Sequence, residues 1–133
     1  MDDEAVEIMK SLVERGASRV TLVRAAAAAT RAVIPFAGQR QAEVIAAMAT
    51  VQHWIRDPSK ANTLMVINQV FSIGHRYKAS AETYAISAAK NTVLACFQLT
   101  DTLSPAVFAV ECAVKAAASH DVNLKCIIMA EVL

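Results

Sequence analysis

Imidazole, thiol and carboxylate groups are the side chains here that could do chemistry, and their spacing decides whether they can act together. The sequence carries three histidines, His53, His75 and His120, and three cysteines, Cys96, Cys112 and Cys126. A thiol nucleophile needs a base within hydrogen-bond reach. Cys112 and His120 stand eight residues apart, about 12 Å along one continuous helix at 1.5 Å per residue, so that pair cannot touch. A metal site on a helix needs two ligands three or four residues apart on one face, and these six residues offer no such pair. Glu43, Glu82, Glu111 and Glu131 fall one to a helix, which leaves no paired carboxylates within a segment. Gly16, Gly38 and Gly74 stand alone, which leaves no glycine-rich loop for phosphate. The residues therefore predict no catalytic group, no metal and no cofactor.

The segments that carry these residues read as helices throughout. The glycines and the prolines Pro35, Pro58 and Pro105 all lie between apolar stretches, and 27 alanines fill the stretches. Alanine is the best helix former and lets helix axes approach closely. The spacing predicts an all-α, single-domain bundle of about six to seven helices over residues 1–133. The first runs from about Asp2 to Glu14, with Ile8, Leu12 and Val13 inward, and stops at Gly16. A second begins after Ser18 and runs to Ile34, where Pro35 forbids continuation. A third spans Gln39 to Ile55 with Val44, Met48, Val51 and Ile55 on one face. Asp57 is the expected cap of a fourth, with Pro58 at its first position. That fourth helix, to about His75, is apolar nearly all round (Leu64, Met65, Val66, Ile67), which predicts the most enclosed helix of the fold. A fifth runs from Ser80 to about Leu99. A sixth opens with Ser104 and Pro105, and Asp121 is the expected cap of the last.

Charge and length exclude several function classes. Charge or amide residues interrupt every apolar run before eighteen residues, so no membrane span is predicted. The acidic Met1-Asp2-Asp3-Glu4 opening lacks the pattern of a leader and predicts a cytoplasmic protein. The cysteines, odd in number and set in apolar stretches, read as reduced thiols packed as small hydrophobes. The net charge of +1 conceals segregation: residues 15–60 hold Arg15, Arg19, Arg24, Arg31, Arg40, Arg56 and Lys60 against Glu43 and Asp57. This basic segment suggests contact with an acidic partner. With no recognition-helix motif and no series of stacking aromatics, a solvated basic face explains the arginines more simply than nucleic-acid binding.

Two aromatic and basic clusters at helix ends read as protein contact points: His53-Trp54-Ile55-Arg56, closing the third helix, and His75-Arg76-Tyr77-Lys78, following the fourth. Tryptophan, tyrosine and arginine most often anchor interfaces. Trp54, the one tryptophan, could equally fill the core. The candidate partner-binding residues are Arg40, His53, Arg56, Arg76, Tyr77 and Lys78.

Three stretches carry a family resemblance. They are Ala46-Ala47-Met48-Ala49 running on to Trp54, Tyr84-Ala85-Ile86-Ser87-Ala88-Ala89-Lys90, and Ala109-Val110-Glu111-Cys112-Ala113 with Ala116 to Ala118 and His120 beyond. Over roughly residues 40–125 the chain resembles the alanine-rich, all-helical immunity proteins of bacterial polymorphic-toxin systems, the family numbered five in the Imm series. Ser87 stands where members of that family commonly have histidine, and the family's arginine-proline pair is not reproduced around Arg40. The resemblance implies an inhibitory binder that neutralises a cognate protein toxin by covering or distorting its active surface, a task that needs a rigid, complementary surface and no reacting group. The alternative is a helical regulatory or assembly module acting through protein contacts, with a homodimer as its simplest form. An enzyme is the third reading.

Overall fold

Alanine content and helix caps together dictate the architecture. A computed structural model of the chain describes residues 3–72, 80–97, 104–118 and 120–132. These residues form seven α-helices: α1 (Asp3–Glu14), α2 (Arg19–Ala32), α3 (Gln41–Arg56), α4 (Lys60–Ser72), α5 (Ala81–Ala95), α6 (Pro105–Ala116) and α7 (Leu124–Val132). Two 3₁₀ turns, Ile34–Phe36 and Gly38–Arg40, lead from α2 into α3. The described residues contain no strand.

Most boundaries follow local chemistry. Gly16, at φ +75°, ends α1. Its N–H donates to Val13 O and that of Ala17 to Leu12 O, the paired closing bonds that a left-handed glycine permits. Ser18 and Ser80 cap α2 and α5, each hydroxyl accepting from the backbone N–H three residues on at 3.2 Å. Two caps differ from expectation. Ser59, rather than Asp57, accepts from Asn62 N at 3.2 Å and opens α4. Asn123, rather than Asp121, accepts from Cys126 N at 3.1 Å and opens α7. The helix has to start where a short acceptor reaches its third residue, and these nearer side chains win. The end of α5 near Leu99 falls outside the described residues, and α5 itself closes at Ala95.

Buried residues drawn from all seven helices form one cluster. At its centre lies α2, not α4. Ala25 to Ala29 are all buried, and five consecutive positions cover more than a full turn, so neighbours surround α2 over this stretch, with Arg24 and Arg31 exposed on either side of it. Its neighbours are α1, α3, α5, α6 and α7. Only methyl-sized side chains allow so many helices to crowd one axis. The most extensive pairing joins α5 to α6, through Ala85, Ala88 and Ala89 on one side and Ala106, Ala109 and Ala113 on the other, all buried.

The expectation that α4 is the most enclosed helix is therefore corrected. Leu64 and Met65 are 58% and 52% exposed, while Val66 is fully buried. Asn62, Thr63 and Gln69 turn toward α3 and its connector instead. Thr63 Oγ1 accepts from Trp54 Nε1 at 3.1 Å, and Asn62 Nδ2 donates to Asp57 O at 2.8 Å. Thr50 of α3 donates to Gln69 Oε1 at 3.3 Å. On α1 the order is also shifted: Ala5, Val6 and Met9 are buried, whereas Val13 is exposed.

The thiols divide by place. Cys96 is buried, Cys112 half-buried and Cys126 exposed, which corrects the expectation of three packed thiols; all three are free. Burial pushes the Cys96 thiol up to about 12, with the Arg19 charge pulling the other way. Burial also raises the Cys112 thiol. No helix among the described residues is long and apolar enough to cross a membrane.

Candidate functional site

The outward face of α3 is built from residues at helical intervals. Ala42, Ile45, Ala46, Ala49, His53 and Arg56 are all exposed, and their spacing of three and four places them on one stripe. Val44, Ala47, Met48, Val51 and Trp54 occupy the opposite face and bind α3 to the core. Trp54 is 3% exposed, so it belongs to the core and not to a contact surface.

The adjoining helix α4 runs antiparallel to α3. Trp54 meets Thr63 while Thr50 meets Gln69, so the two sequences advance in opposite directions. The connector between them is held by hydrogen bonds: Asp57 N donates to His53 O at 3.1 Å, and Asn62 Nδ2 bonds Asp57 O. Because Thr63, Asn62 and Gln69 satisfy α3, the outward face of α4 is left with Lys60, Ala61, Leu64, Met65 and Asn68, all exposed. The hairpin thus presents apolar side chains (Ile45, Leu64 and Met65, each more than half exposed) with His53, Arg56 and Lys60 gathered at its connector end.

The candidate contact residues fare differently. His53 and Arg56 are exposed on this face. Arg40 is turned away from solvent, its side chain 11% exposed, with Nε and Nη2 bonded to the two carboxylate oxygens of Glu43 at 3.1 and 2.6 Å. That charge-assisted fork raises the guanidinium pKa, helped by Glu82 and opposed by burial. Arg40 is a structural clasp at the entry to α3. Arg76, Tyr77 and Lys78 lie outside the described residues.

The basic run of residues 15–60 also resolves into ties between elements. Arg19 Nη1 donates to Ala95 O at the end of α5. Arg24 bonds the carbonyl of Glu131 at 3.0 Å and its carboxylate at 3.5 Å, closing α7 onto α2. Cations at helix C-termini satisfy free carbonyls and favour the dipole. Two of the seven cations, Arg19 and Arg24, thus act as helix caps across elements.

Compared with protein-family models, curated proteins and solved structures, the chain matches none. The family resemblance rests on the three stretches quoted for it.

A concavity lies between the ends of α1, α6 and α7. This cleft of about 490 Å³ is lined in part by Glu4, His120, Asp121, Lys125 and Cys126. It brings a histidine and a cysteine to one wall, which the helix spacing of Cys112 and His120 did not foresee. Four of its polar residues are already engaged. Lys125 and Glu4 pair at 2.8 Å, Asn123 caps α7, and the His120 ring stacks on Phe36 at 3.9 Å. Among the described residues no three histidine, cysteine or acidic side chains lie close enough together to share a metal ion.

Sequence reasoning missed Ile45, Leu64 and Met65. The signal was present in the polar residues of α4: Asn62, Thr63 and Gln69 recur along one side of that helix, and a polar side that finds partners on α3 forces the apolar side out.

Proposed function

We propose that the protein is an immunity protein that binds a cognate bacterial toxin in the cytoplasm and neutralises it by covering its active surface. One observation carries the reading: the α3–α4 hairpin exposes Ile45, Leu64 and Met65 beside His53, Arg56 and Lys60, while its inner faces are locked to the core. Apolar side chains on the surface of a stiff support lose little conformational entropy on binding, and a cationic border selects an acidic partner and speeds its approach. The resemblance in the alanine-rich helices agrees with such a task. His53, Arg56, Arg76, Tyr77 and Lys78 are the proposed polar contacts, with Leu64 and Met65 at the apolar centre. An interface of ordinary size would bury about 1,600 Å² in total, so it would extend beyond these residues.

Co-expression tests this directly. The reading expects a large secreted protein with a variable C-terminal domain to be encoded beside this gene, and that domain is the probe. The wild-type protein is expected to restore growth to cells arrested by that domain, and the L64E/M65E variant is expected to fail while accumulating to the same level. Continued arrest with wild-type protein present would contradict the proposal.

A second reading, a module that pairs with itself, draws on the same exposed Leu64 and Met65. Sedimentation would then show a mass that doubles with concentration for wild type and stays monomeric for L64E/M65E.

A further inference from the structure

Between the C-terminal end of α2 and the middle of α3 lies a groove of about 280 Å³, lined by Arg31, Ile34, Ile45, Met48, Ala49 and Gln52. Its floor is apolar: Met48 is buried and Ile34 half-buried, with Ile45 and Ala49 exposed along one wall. The size decides what it can hold. It has room for about nine waters at ~30 Å³ each, and it falls just under the ~300 Å³ at which pockets for metabolites begin. A single large side chain fits that space.

The rim decides what must accompany that side chain. Arg19 and Arg24 are spent on the carbonyl ends of neighbouring helices, and Arg40 on Glu43. Arg31 instead donates to a neutral acceptor, Gln52 Oε1, at 3.4 Å, and no carboxylate partners it among the described residues. A guanidinium with only a long bond to an amide retains its capacity for a forked pair with a carboxylate. In the larger cleft near α7, by contrast, Lys125 and Glu4 already pair with each other.

We propose that this groove is the anchoring socket of the inhibitory surface, accepting one large apolar side chain of the partner protein with a carboxylate of that partner paired to Arg31. The proposal rests on the reading of the protein as an inhibitory binder. It adds a specific feature to it, since Ile45 and Ala49 belong to both the socket and the outward stripe of α3, making the two one continuous surface. Buried apolar anchors seated in pockets dominate interface energetics, and a rim charge adds orientation.

The probe is N-acetyl-L-tryptophan, which carries a large apolar side chain and a carboxylate, set against N-acetyl-L-tryptophanamide, in which the carboxylate is replaced by a neutral amide. Methyl NMR of the full chain follows Ile34, Ile45 and Met48 during each titration. The acid is expected to cause saturable changes at these three methyls, and the amide to bind about two- to fivefold more weakly, the range of an exposed ion pair. Arg31→Gln is expected to abolish the difference. Changes that never saturate, or equal binding of acid and amide to the wild type, would overturn the socket. A second variant, Ala49→Trp, fills the groove from an exposed position and is expected to end rescue from the toxin without altering the fold; retained rescue would also overturn the proposal. Failure of the two readings is distinguishable. Saturable tryptophan binding without rescue by wild type removes the inhibitory function alone, and rescue without tryptophan binding removes the socket alone.

Discussion

Thr30 and Thr92 are the polar side chains that the core encloses among the described residues, and the direction of their hydrogen bond sets what each substitution costs. Thr92 Oγ1 donates to Ala88 O at 2.8 Å, which leaves Thr30 as the donor across the 3.0 Å contact between them. Thr30→Val removes a donor while Thr92 keeps its carbonyl, and is expected to cost about 0.5–1.5 kcal/mol. Thr92→Val strips Thr30 of its acceptor and is expected to cost more, about 1–3 kcal/mol. Urea unfolding of the two variants measures the order; a larger loss for Thr30→Val would reverse the assigned direction. The thiols give a second residue-scale expectation. In the folded state Cys96 titrates near 12, above the ~8.5 of an unfolded thiol, so its contribution is complete below that lower value. Stability is lost as pH rises toward 12, and Cys96→Ala is expected to lessen that alkaline loss relative to wild type in melts across the range. Iodoacetamide is expected to label exposed Cys126 in the native protein and Cys96 only after unfolding.

At the scale of elements, the caps and turns make sharper claims than the helices themselves. Ser59→Ala removes the acceptor that opens α4 and is expected to cost about 1 kcal/mol, whereas Asp57→Ala, outside the cap, costs measurably less. Thermal or urea melts of both variants decide between the two caps. Gly16 and Gly38 hold φ of +75° and +59°, and alanine at either is expected to cost about 1–2 kcal/mol. At Gly38 the added Cβ would also meet Glu82 Oε2 at 2.7 Å and push that carboxylate from the neighbourhood of Arg40, so the loss at Gly38 is expected to shrink in a Glu82→Ala background. Much of this was legible in the sequence. Gly16, Ser18, Ser80 and Ser104-Pro105 mark their boundaries because glycine conformation, hydroxyl reach and the missing proline N–H act within four residues. The rank of burial was not legible. The bulk of Leu64 and Met65 suggested enclosure, yet five alanines of α2 took the centre, because crowding by neighbours depends on how small a side chain is. His53 and Arg56 could be placed on an exposed face from helical spacing, but the fork that draws Arg40 inward depends on the 3₁₀ turn that delivers it to Glu43 and Glu82.

Among the described residues, the molecule is a helical core in which Arg19 and Arg24 join elements and in which the α3–α4 hairpin carries the three most exposed large apolar side chains. The alanine-rich seams of α5 with α6 hold the scaffold together, and α3 and α4 stand outward from it. On the proposed reading, substitutions on the hairpin should change affinity while leaving stability intact, and substitutions in the seams should do the reverse. The electrostatic part of the contact should weaken as salt rises, since Arg56 and Lys60 are exposed and screened within about 8–10 Å at physiological ionic strength. The most direct test is a calorimetric binding isotherm between the purified protein and the C-terminal domain of the secreted protein that the proposal expects beside its gene, for wild type, L64E/M65E, and Arg15→Glu on the α1–α2 turn as control. The hairpin variant is expected to lose about 2 kcal/mol or more, roughly thirtyfold in affinity, with Tm held within a few degrees, and the control to bind as wild type does. Equal affinity for wild type and the hairpin variant would contradict the account.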